Sequence, residues 1–403
     1  MTKRIMIVGP YGGMNLGDDL ILHQILTALA AFDLQITVSC SDPDHVARSF
    51  GVKTCSLLEY RRWDTESLRM MNQLDGVIIG GGEQLSEPRV INPFWGHLAR
   101  TAHLCRAARR RKVPVMLWAV GLDRLRSRLS RALLRQWVFR EGVRSCLRDP
   151  ASVERARTIM HGSYDGLHLV ADPAYDLPRY SRGTLDPERA RHLGLRPDDG
   201  ARLLIVPAYD KFVDLGYLEA IAAFARAEAA RGTQIYGWTT DLQKGYDDIL
   251  LDHPLWKDIP GFTWLKREYV RPEEMAPLIA EFGSVISARM HPIIIAHTQN
   301  VPTYMLARSA KMVSMMDSLG ILGARLSEVS APHIERSLGE QREARVGTCD
   351  ERSLSEARSR AQRCVDHFRA VMFDERERTD PAAACSHTAN LLPPVRIAEI
   401  RKT

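Results

Sequence analysis

The chain has 403 residues, of which 45% are hydrophobic and 26% are charged, with a formal net charge of +6. This composition is that of a globular protein with sizeable cores, which excludes a disordered or collagen-like chain, and the length favours two domains. The positive charge suits an anionic substrate or a membrane surface. No zinc-finger spacing or RNA-binding aromatic pattern is present, so we expect no nucleic-acid partner.

The sequence shows neither a cleavable signal nor an apolar run of the roughly 20 residues that a spanning helix needs. We therefore expect a cytoplasmic protein. Its seven cysteines are scattered and form no C-x-x-C pair. This spacing favours reduced thiols over a zinc site, and we expect no metal.

The first half of the chain alternates Val/Ile/Leu runs with helical patterns, such as Asp19–Phe32. Continuous apolar runs are typical of strands that are buried on both faces of a parallel sheet. The pattern predicts a doubly wound, Rossmann-like α/β domain over residues 1–175. Its predicted strands are Arg4–Val8, Gln35–Ser39, Gly76–Ile79, Pro114–Val120 and Arg144–Leu147.

A segment rich in Pro, Gly, Asp and Arg, residues 176–200, then predicts a linker with a short helix. The alternation resumes over residues 201–345 and predicts a second Rossmann-like domain, so a cleft between the two is the expected ligand site. Its predicted strands are Arg202–Val206, Thr233–Trp238, Ser284–Ser287 and Thr303–Leu306.

Residues 346–403 form the predicted C-terminal region. Apolar residues recur at helical spacing over Ser353–Met372, which predicts an amphipathic helix. The polar tail that follows, Asp374–Thr403, is expected either to be partly disordered or to pack back onto the first domain.

Two glycine-rich loops follow predicted strands. In "GPYGGMNLGDDL", Asp18 is either a helix N-cap or part of a ligand loop whose free N–H groups bind an anion or a sugar hydroxyl. In "GVIIGGGEQLSEP", three consecutive glycines end a buried strand, where ligands of open parallel sheets bind. This pattern favours a ligand-facing loop in which Glu83 accepts a hydrogen bond from a hydroxyl.

The stretch "SVISARMHPIIIAH" joins a predicted strand to a predicted helix. Pro292 suits the first turn of a helix, which places His291 near the N-cap and Arg289 at the end of the strand. Arginine binds phosphate or carboxylate through a bidentate fork, and histidine can donate a proton near neutral pH. The alternative is a surface arginine with a capping histidine. His297 lies on another face of the helix and is expected to be a packing residue.

The basic stretch 123–139 carries an apolar stripe of Leu125, Leu129, Leu133 and Trp137 among arginines. The better-supported interpretation is an ordinary helix facing the core. The alternative is peripheral contact with an anionic membrane surface at the inner membrane face.

The order and spacing of several short motifs along the chain resemble those of the polysaccharide pyruvyl transferase family. The resemblance covers about Arg4 to Leu319, and the matching residues are Asn15, Gly17 and Asp18; Gly80 to Gly82; Arg148, Asp149 and Ser152; Asp172 to Ala174; and Ser287, Arg289, His291, Pro302 and Lys311.

The resemblance implies a GT-B-like two-domain fold and an enzyme of polysaccharide biosynthesis for the cell envelope. It implies phosphoenolpyruvate as co-substrate, without a cofactor, and pyruvate attached as a ketal across two hydroxyls of a saccharide or lipid-linked saccharide. Arg289 and His291 match the family's donor-binding and catalytic Arg-x-His, and Lys311 joins them on the donor side. The family's basic residue after the first strand of the second half is represented here only by Lys211.

The acceptor side would comprise Asn15, Gly17, Asp18, Gly81, Gly82 and Glu83, with Asp18 or Glu83 as general base. The helix start and Arg289 are expected to keep His291 neutral until the anionic donor arrives and makes it a general acid. Two other classes stay open: a GT-B glycosyltransferase or sugar-nucleotide enzyme, and a non-catalytic protein that binds an anionic saccharide.

Overall fold

Two parallel β-sheets, whose strands alternate with helices along the chain, form the framework of the molecule. The computed structural model describes residues 2–56, 71–82, 84–87, 96–161, 164–197, 200–209, 214–343 and 351–373. Glu83, Lys211 and the tail 374–403 lie outside the described residues.

The first sheet has seven parallel strands in the order β3-β2-β1-β4-β5-β6-β7. These are β1 (Lys3–Val8), β2 (Leu34–Cys40), β3 (Lys53–Ser56), β4 (Gly76–Gly80), β5 (Val115–Val120), β6 (Val143–Leu147) and β7 (Leu167–Leu169). The helices of this half are α1 (Leu16–Leu29), α2 (Pro43–Phe50), α3 (His97–Arg110), α4 (Arg128–Leu133), which the π-helix Leu134–Val138 continues, and α5 (Pro150–Met160).

The second sheet has six parallel strands in the order β10-β9-β8-β11-β12-β13. These are β8 (Arg202–Val206), β9 (Gln234–Gly237), β10 (Thr263–Trp264), β11 (Ser284–Ser287), β12 (Thr303–Ala307) and β13 (Gly323–Arg325). Between the sheets lie the 3₁₀ turn Pro173–Asp176 and α6 (Pro187–His192). The remaining helices are α7 (Tyr217–Ala230), α8 (Pro272–Ala280), α9 (Met290–Thr298), α10 (Ala310–Leu319), α11 (Ala331–Glu343) and α12 (Glu351–Met372), with 3₁₀ turns at Asp247–Leu250, Pro254–Trp256 and Leu326–Glu328.

Both sheets reverse their winding direction at one point, beside β1 in the first and beside β8 in the second. In the first sheet the loops after β1 and β4 meet there, and in the second the loop after β11 adjoins β8. Ligands of open α/β sheets bind outside the carboxyl ends of strands at such a switch point. The topology therefore places both glycine-rich loops and the Arg289–His291 segment at binding edges.

The predicted fold class, two doubly wound α/β units with a C-terminal helix, is confirmed. The nine predicted strands are present with ends within two residues, because every residue of β4, β5, β8, β11 and β12 is buried. The four short strands β3, β7, β10 and β13 were not predicted. They lie at sheet edges, where one side of the strand is unpaired and the residues are only partly buried. Their sequences therefore contain no continuous apolar run.

Helix α12 joins the two halves of the molecule. Its Cys364, Phe368 and Met372 pack into the core of the first sheet, and a Cβ at Gly76 would lie 2.3 Å from the Met372 sulfur. Its earlier residue Leu354 packs into the core shared by both halves. Burial of each such side chain is worth about 1.5–3 kcal/mol, so this helix is a structural part of the two-sheet unit.

The predicted linker 176–200 lies between the end of β7 and the start of β8, whereas the exact domain boundaries stay predictions. Among the described helices, none combines the length and apolarity needed to cross a bilayer. The five described cysteines are free thiols.

Candidate active site

A cleft of about 940 Å³, open to solvent, lies between the two halves. Two backbone hydrogen bonds join its walls: Leu16 N donates to Thr240 O at 2.9 Å, and Leu242 N donates to Met14 O at 2.8 Å. The cleft is lined by Pro10, Asn15, Gly17, Asp18, Gly82, Gln84, Ser86, His97, Arg148, Thr240, Met275, Arg289, Met290, His291, Pro292, Arg308 and Lys311.

Most of the residues singled out from the sequence meet in this cleft. Both members of the Arg-x-His pair are there, with Lys311 beside them. The first half contributes Asn15, Gly17, Asp18 and Gly82. Gly81 adjoins the lining with φ = 73°, a left-handed backbone conformation that glycine adopts at no steric cost.

The start of α1 contradicts the interpretation of Asp18 as a helix N-cap. Asn15, not Asp18, is the N-cap, and its side-chain oxygen accepts a hydrogen bond from Gly17 N at 3.1 Å. The helix therefore begins three residues before the predicted Asp19. Because Asp18 is not used as a cap, its carboxyl group faces the cleft.

His291 lies two residues deeper in the helix than predicted. Arg289 occupies the N-cap position of α9, and His291 is the second residue of the helix. The alternative interpretation, a surface arginine with a capping histidine, is therefore wrong, and Arg289 at the N-cap makes no side-chain cap hydrogen bond. The ring instead packs on the first half of the chain, where a Cβ at Gly17 would lie 2.0 Å from His291 Nδ1. Glycine at this position lets the two halves close around the histidine.

A buried ion pair lies beside His291. The pair consists of Arg148 and Asp172, whose Nη1 and Oδ2 atoms are 3.1 Å apart. The same Asp172 oxygen is 3.8 Å from His291 Nε2. The pKa of His291 is lowered to about 4, chiefly by burial; Asp172 opposes this shift, whereas Arg148 and Lys311 add to it. The ring is thus neutral in the empty cleft, as predicted, but burial dominates and Arg289 is not among the causes.

The motif residues next to the Arg148–Asp172 pair have different roles. Asp149 caps α5 by accepting from Ser152 N at 2.8 Å, and Asp172 Oδ1 accepts from Ala174 N at 3.1 Å. Arg148 contributes to the cleft itself. The sequence motif contained both Arg148 and Asp172, but nothing in their spacing showed that they would meet His291.

Arg289 is held by two carboxylates of the second half. Its Nε lies 3.1 Å from Asp247 Oδ2, its Nη2 also bonds the other oxygen of Asp247, and Asp241 Oδ2 is 3.4 Å from Nη2. The fork that we expected to face a donor is thus engaged by Asp247, which is fully buried. The guanidinium is fixed in orientation at the cleft wall, and the remaining positive charge comes from its neighbours.

Arg308 and Lys311 flank the start of α10 in the same wall. Ser309 caps this helix by accepting from Met312 N at 3.4 Å. Arg308 was not predicted, although it directly follows β12, as Arg289 follows β11 after one residue. With Arg148 and the N-terminal ends of α9 and α10, these cations make this wall a site for an anion with several charges.

Asp18 is the carboxyl group of the opposite wall. The pKa of Asp18 is raised to about 7, chiefly by burial and by the neighbouring Asp19, while Arg148 and Lys311 oppose the shift and Asp241 adds to it. A carboxyl group with this pKa can take up or release a proton at neutral pH, which suits general acid–base work. A Cβ at Gly82 would lie 3.1 Å from Asp18 Oδ1, so the triple-glycine loop leaves room beside the carboxyl.

Two expectations concern residues outside the cleft. His297 is fully buried and packs edge-to-face with Tyr175 at 6.3 Å between ring centroids, which fits a packing role. In the basic stretch, Leu125 and Leu133 are buried in the first core, whereas Leu129 is 40% exposed. The stripe thus faces largely inward, and membrane contact stays a prediction.

Comparison with known proteins gives one family and one fold. The family model described as polysaccharide pyruvyl transferase matches residues 15–309. No curated protein matches the chain.

Solved structures with a similar fold are enzymes of sugar nucleotides and glycosyltransferases. UDP-GlcNAc 2-epimerase from Methanocaldococcus jannaschii has a TM-score of 0.59 at 11% identity, covering 91% of this chain and 99% of that one. The S. aureus MnaA complex with UDP has a TM-score of 0.57 at 13% identity, covering 91% and 96%. The glycotransferase of kitacinnamycin has a TM-score of 0.56 at 12% identity, covering 92% and 100%. At these identities the likeness shows a GT-B-like fold.

Proposed function

Because the chain belongs to the polysaccharide pyruvyl transferase family, we propose that it transfers pyruvate from phosphoenolpyruvate to two hydroxyls of a saccharide. The observation that carries this proposal is the composition of the cleft, where one wall is cationic and carries His291 while the other carries Asp18. Phosphoenolpyruvate has a phosphate, a carboxylate and a carbon that must be protonated. The two walls supply a partner for each of these features.

The donor would lie against the second-half wall. The phosphate is matched by Lys311, Arg308 and the N-terminal end of α10, and the carboxylate by the part of the Arg289 guanidinium that lines the cleft and is not engaged by Asp247. Arg289 is already oriented by Asp247, so it binds without losing further side-chain freedom. Lys211 stays a predicted donor contact outside the described residues.

The first step joins donor and acceptor. Asp18 takes the proton of an acceptor hydroxyl, whose oxygen forms a bond to C2 of the enol, while His291 delivers a proton to the C3 methylene and makes it a methyl group. The product is a tetrahedral carbon that carries the acceptor oxygen and the phosphate ester. Arg148 and Asp172 hold His291 in place during this transfer.

The second step closes the ketal. The bond between C2 and the phosphate oxygen breaks, and phosphate leaves with the bonding electron pair, stabilised by the cationic wall. A second hydroxyl of the saccharide bonds to C2 and loses its proton to solvent or to a base of the cleft. One phosphate is released for each ketal formed, and no redox partner is required.

Thermal melting distinguishes this function from the sugar-nucleotide alternative. Phosphoenolpyruvate at about 100 times its dissociation constant is expected to add about 2.7 kcal/mol to the free energy of unfolding. UDP-GlcNAc in the same assay is expected to leave the melting temperature unchanged. Stabilisation by UDP-GlcNAc alone would refute the proposed donor, and stabilisation by phosphoenolpyruvate without turnover of any acceptor would favour a binding protein.

A further inference from the structure

Arg100 is a buried cation without a carboxylate partner among the described residues. It is 8% exposed, and no ion pair joins it to any acidic residue of the described ranges. In the part of the chain that the structure describes, the other two buried arginines are both paired, Arg148 with Asp172 and Arg202 with Glu281. Charged side chains are seldom buried without a partner, since the loss of hydration is uncompensated.

The polar contacts of Arg100 leave part of its guanidinium unsatisfied. Its Nη2 lies 3.4 Å from Gln84 Oε1 and 2.5 Å from His97 Nδ1, both neutral acceptors. Its buried Nε has no hydrogen-bond partner among the described residues. Burial lowers the pKa of Arg100 to about 10.

The same place holds an uncapped helix N-terminus. Helix α3 has 14 residues, its N-cap Gly96 provides no side-chain hydrogen bond, and its first turn contains no acidic residue. Long side chains on a helix point back towards its N-terminus, so the Arg100 guanidinium returns to the level of His97. A full positive charge therefore adds to the partial positive charge of the helix end, which is unfavourable unless an anion binds there.

This helix start opens onto the acceptor wall of the cleft. His97 and Gln84 both line the cleft, with Ser86, on the first half of the molecule. A guanidinium can only donate hydrogen bonds, so the Nδ1 of His97 must accept and its neutral ring carries the proton on Nε2. His97 thereby holds the Arg100 guanidinium beside the cleft lining.

We infer that the N-terminal turn of α3, with Arg100 and His97, is an oxyanion subsite for an acidic group carried by the acceptor saccharide. The group is a phosphate ester or a sugar carboxylate, since both offer the oxygens that a helix end and an arginine bind. The inference rests on the proposed function, in which this wall receives the acceptor. It adds that neutral saccharides are poorer acceptors than acidic ones.

Binding of small sugars tests the subsite directly. Calorimetric titrations with glucose 1-phosphate, glucuronate and glucose are made with phosphoenolpyruvate saturating, so that the donor wall is filled. Wild type is expected to bind at least one acidic sugar about 10-fold or more tighter than glucose. Whether glucose 1-phosphate or glucuronate shows the preference identifies the acidic group.

Two variants of the same helix provide the comparison. Arg100→Met is expected to lose the preference for acidic sugars, whereas Arg110→Met, which removes an equal charge from the exposed last turn, keeps it. Without ligand, Arg100→Met is expected to melt at or above the wild-type temperature, because an uncompensated buried charge is removed. Should Arg100→Met fail to fold, His97→Ala at an exposed position gives the same comparison of affinities.

Equal binding of glucose and both acidic sugars by wild type would overturn the inference, as would a preference that survives in Arg100→Met. The donor is tested separately in the same titrations, by adding phosphoenolpyruvate without sugar. Failure of phosphoenolpyruvate to bind would refute the proposed function, while the comparison of Arg100→Met with Arg110→Met would still be read from the sugars alone.

Discussion

Donor binding is expected to protonate His291, and His291→Gln removes the group that takes up this proton. In the empty cleft burial, with Arg148 and Lys311, lowers the pKa of His291 to about 4. At pH 7 about one molecule in a thousand then carries the imidazolium. Glutamine keeps a hydrogen-bond donor of similar reach but has no titratable proton.

The donor carries enough charge to reverse this state. For His291 to be protonated at pH 7 its pKa must rise by about 3 units, or about 4 kcal/mol. One negative charge at about 4 Å supplies about 4 kcal/mol at an effective dielectric constant near 20. Phosphoenolpyruvate brings a carboxylate and a phosphate, so uptake of about one proton by His291 is expected. Asp18, with a pKa of about 7, is half protonated and adds up to about half a proton.

Titration calorimetry in buffers of different ionisation enthalpy counts these protons. Wild type is expected to take up between about 1 and 1.5 protons per donor at pH 7, and His291→Gln about one fewer. Asp18→Asn is the control, since it should lose only the smaller fraction. Turnover of His291→Gln is expected to fall by about 10²–10⁴ with donor affinity largely kept. Equal proton uptake by wild type and His291→Gln, or near-normal turnover, would refute the reasoning.

Further predictions concern the walls of the cleft and one distant histidine. Gly17→Ala places a Cβ 2.0 Å from His291 Nδ1 and should lower turnover about 100-fold, whereas Gly339→Ala, which meets nothing within 4 Å, should not. Asp18 acts as the carboxylate, so with phosphoenolpyruvate saturating and His291 protonated, kcat/KM for the acceptor should rise with pH through about 7. Asp18→Asn should lower this kcat/KM and abolish its rise with pH. The raised pKa of Asp18 also means that stability falls as pH rises towards 7, so Asp18→Asn should raise the melting temperature more at pH 8 than at pH 5. His297→Phe should alter the melting temperature but leave kcat within about two-fold, because His297 packs on Tyr175 away from the cleft lining.

The main strands could be predicted because their residues are buried on both faces. β1 and β8 continue as apolar runs after charged first residues, and the apolar pair of β11 lies between two serines. The two-residue strand β10 could not, since it owes its conformation to pairing with β9 at a sheet edge. The start of α1 was predicted three residues too late because both Asn15, the actual N-cap, and Asp18 are good capping residues.

Local chemistry could be predicted at the site, but long-range pairing could not. The Arg-x-His sequence before a proline identifies a strand-to-helix junction at the cleft, and three glycines identify a facing loop. Contacts between residues far apart in the chain, such as Asp172 with His291 and Asp247 with Arg289, depend on how the loops of two sheets meet. Those contacts decide the pKa of the histidine and the orientation of the arginine.

Transfer of the pyruvyl carbon to a saccharide is the central claim, and an isotope experiment tests it most directly. The protein is incubated with phosphoenolpyruvate labelled with ¹³C at C2 and a panel of neutral and acidic glycans, and products are read by mass spectrometry and NMR. The account predicts a labelled ketal carbon in the glycan, with one phosphate released per ketal, for wild type and far less for His291→Gln. Phosphate release without label in any glycan, or transfer from a nucleotide sugar while phosphoenolpyruvate stays intact, would contradict it.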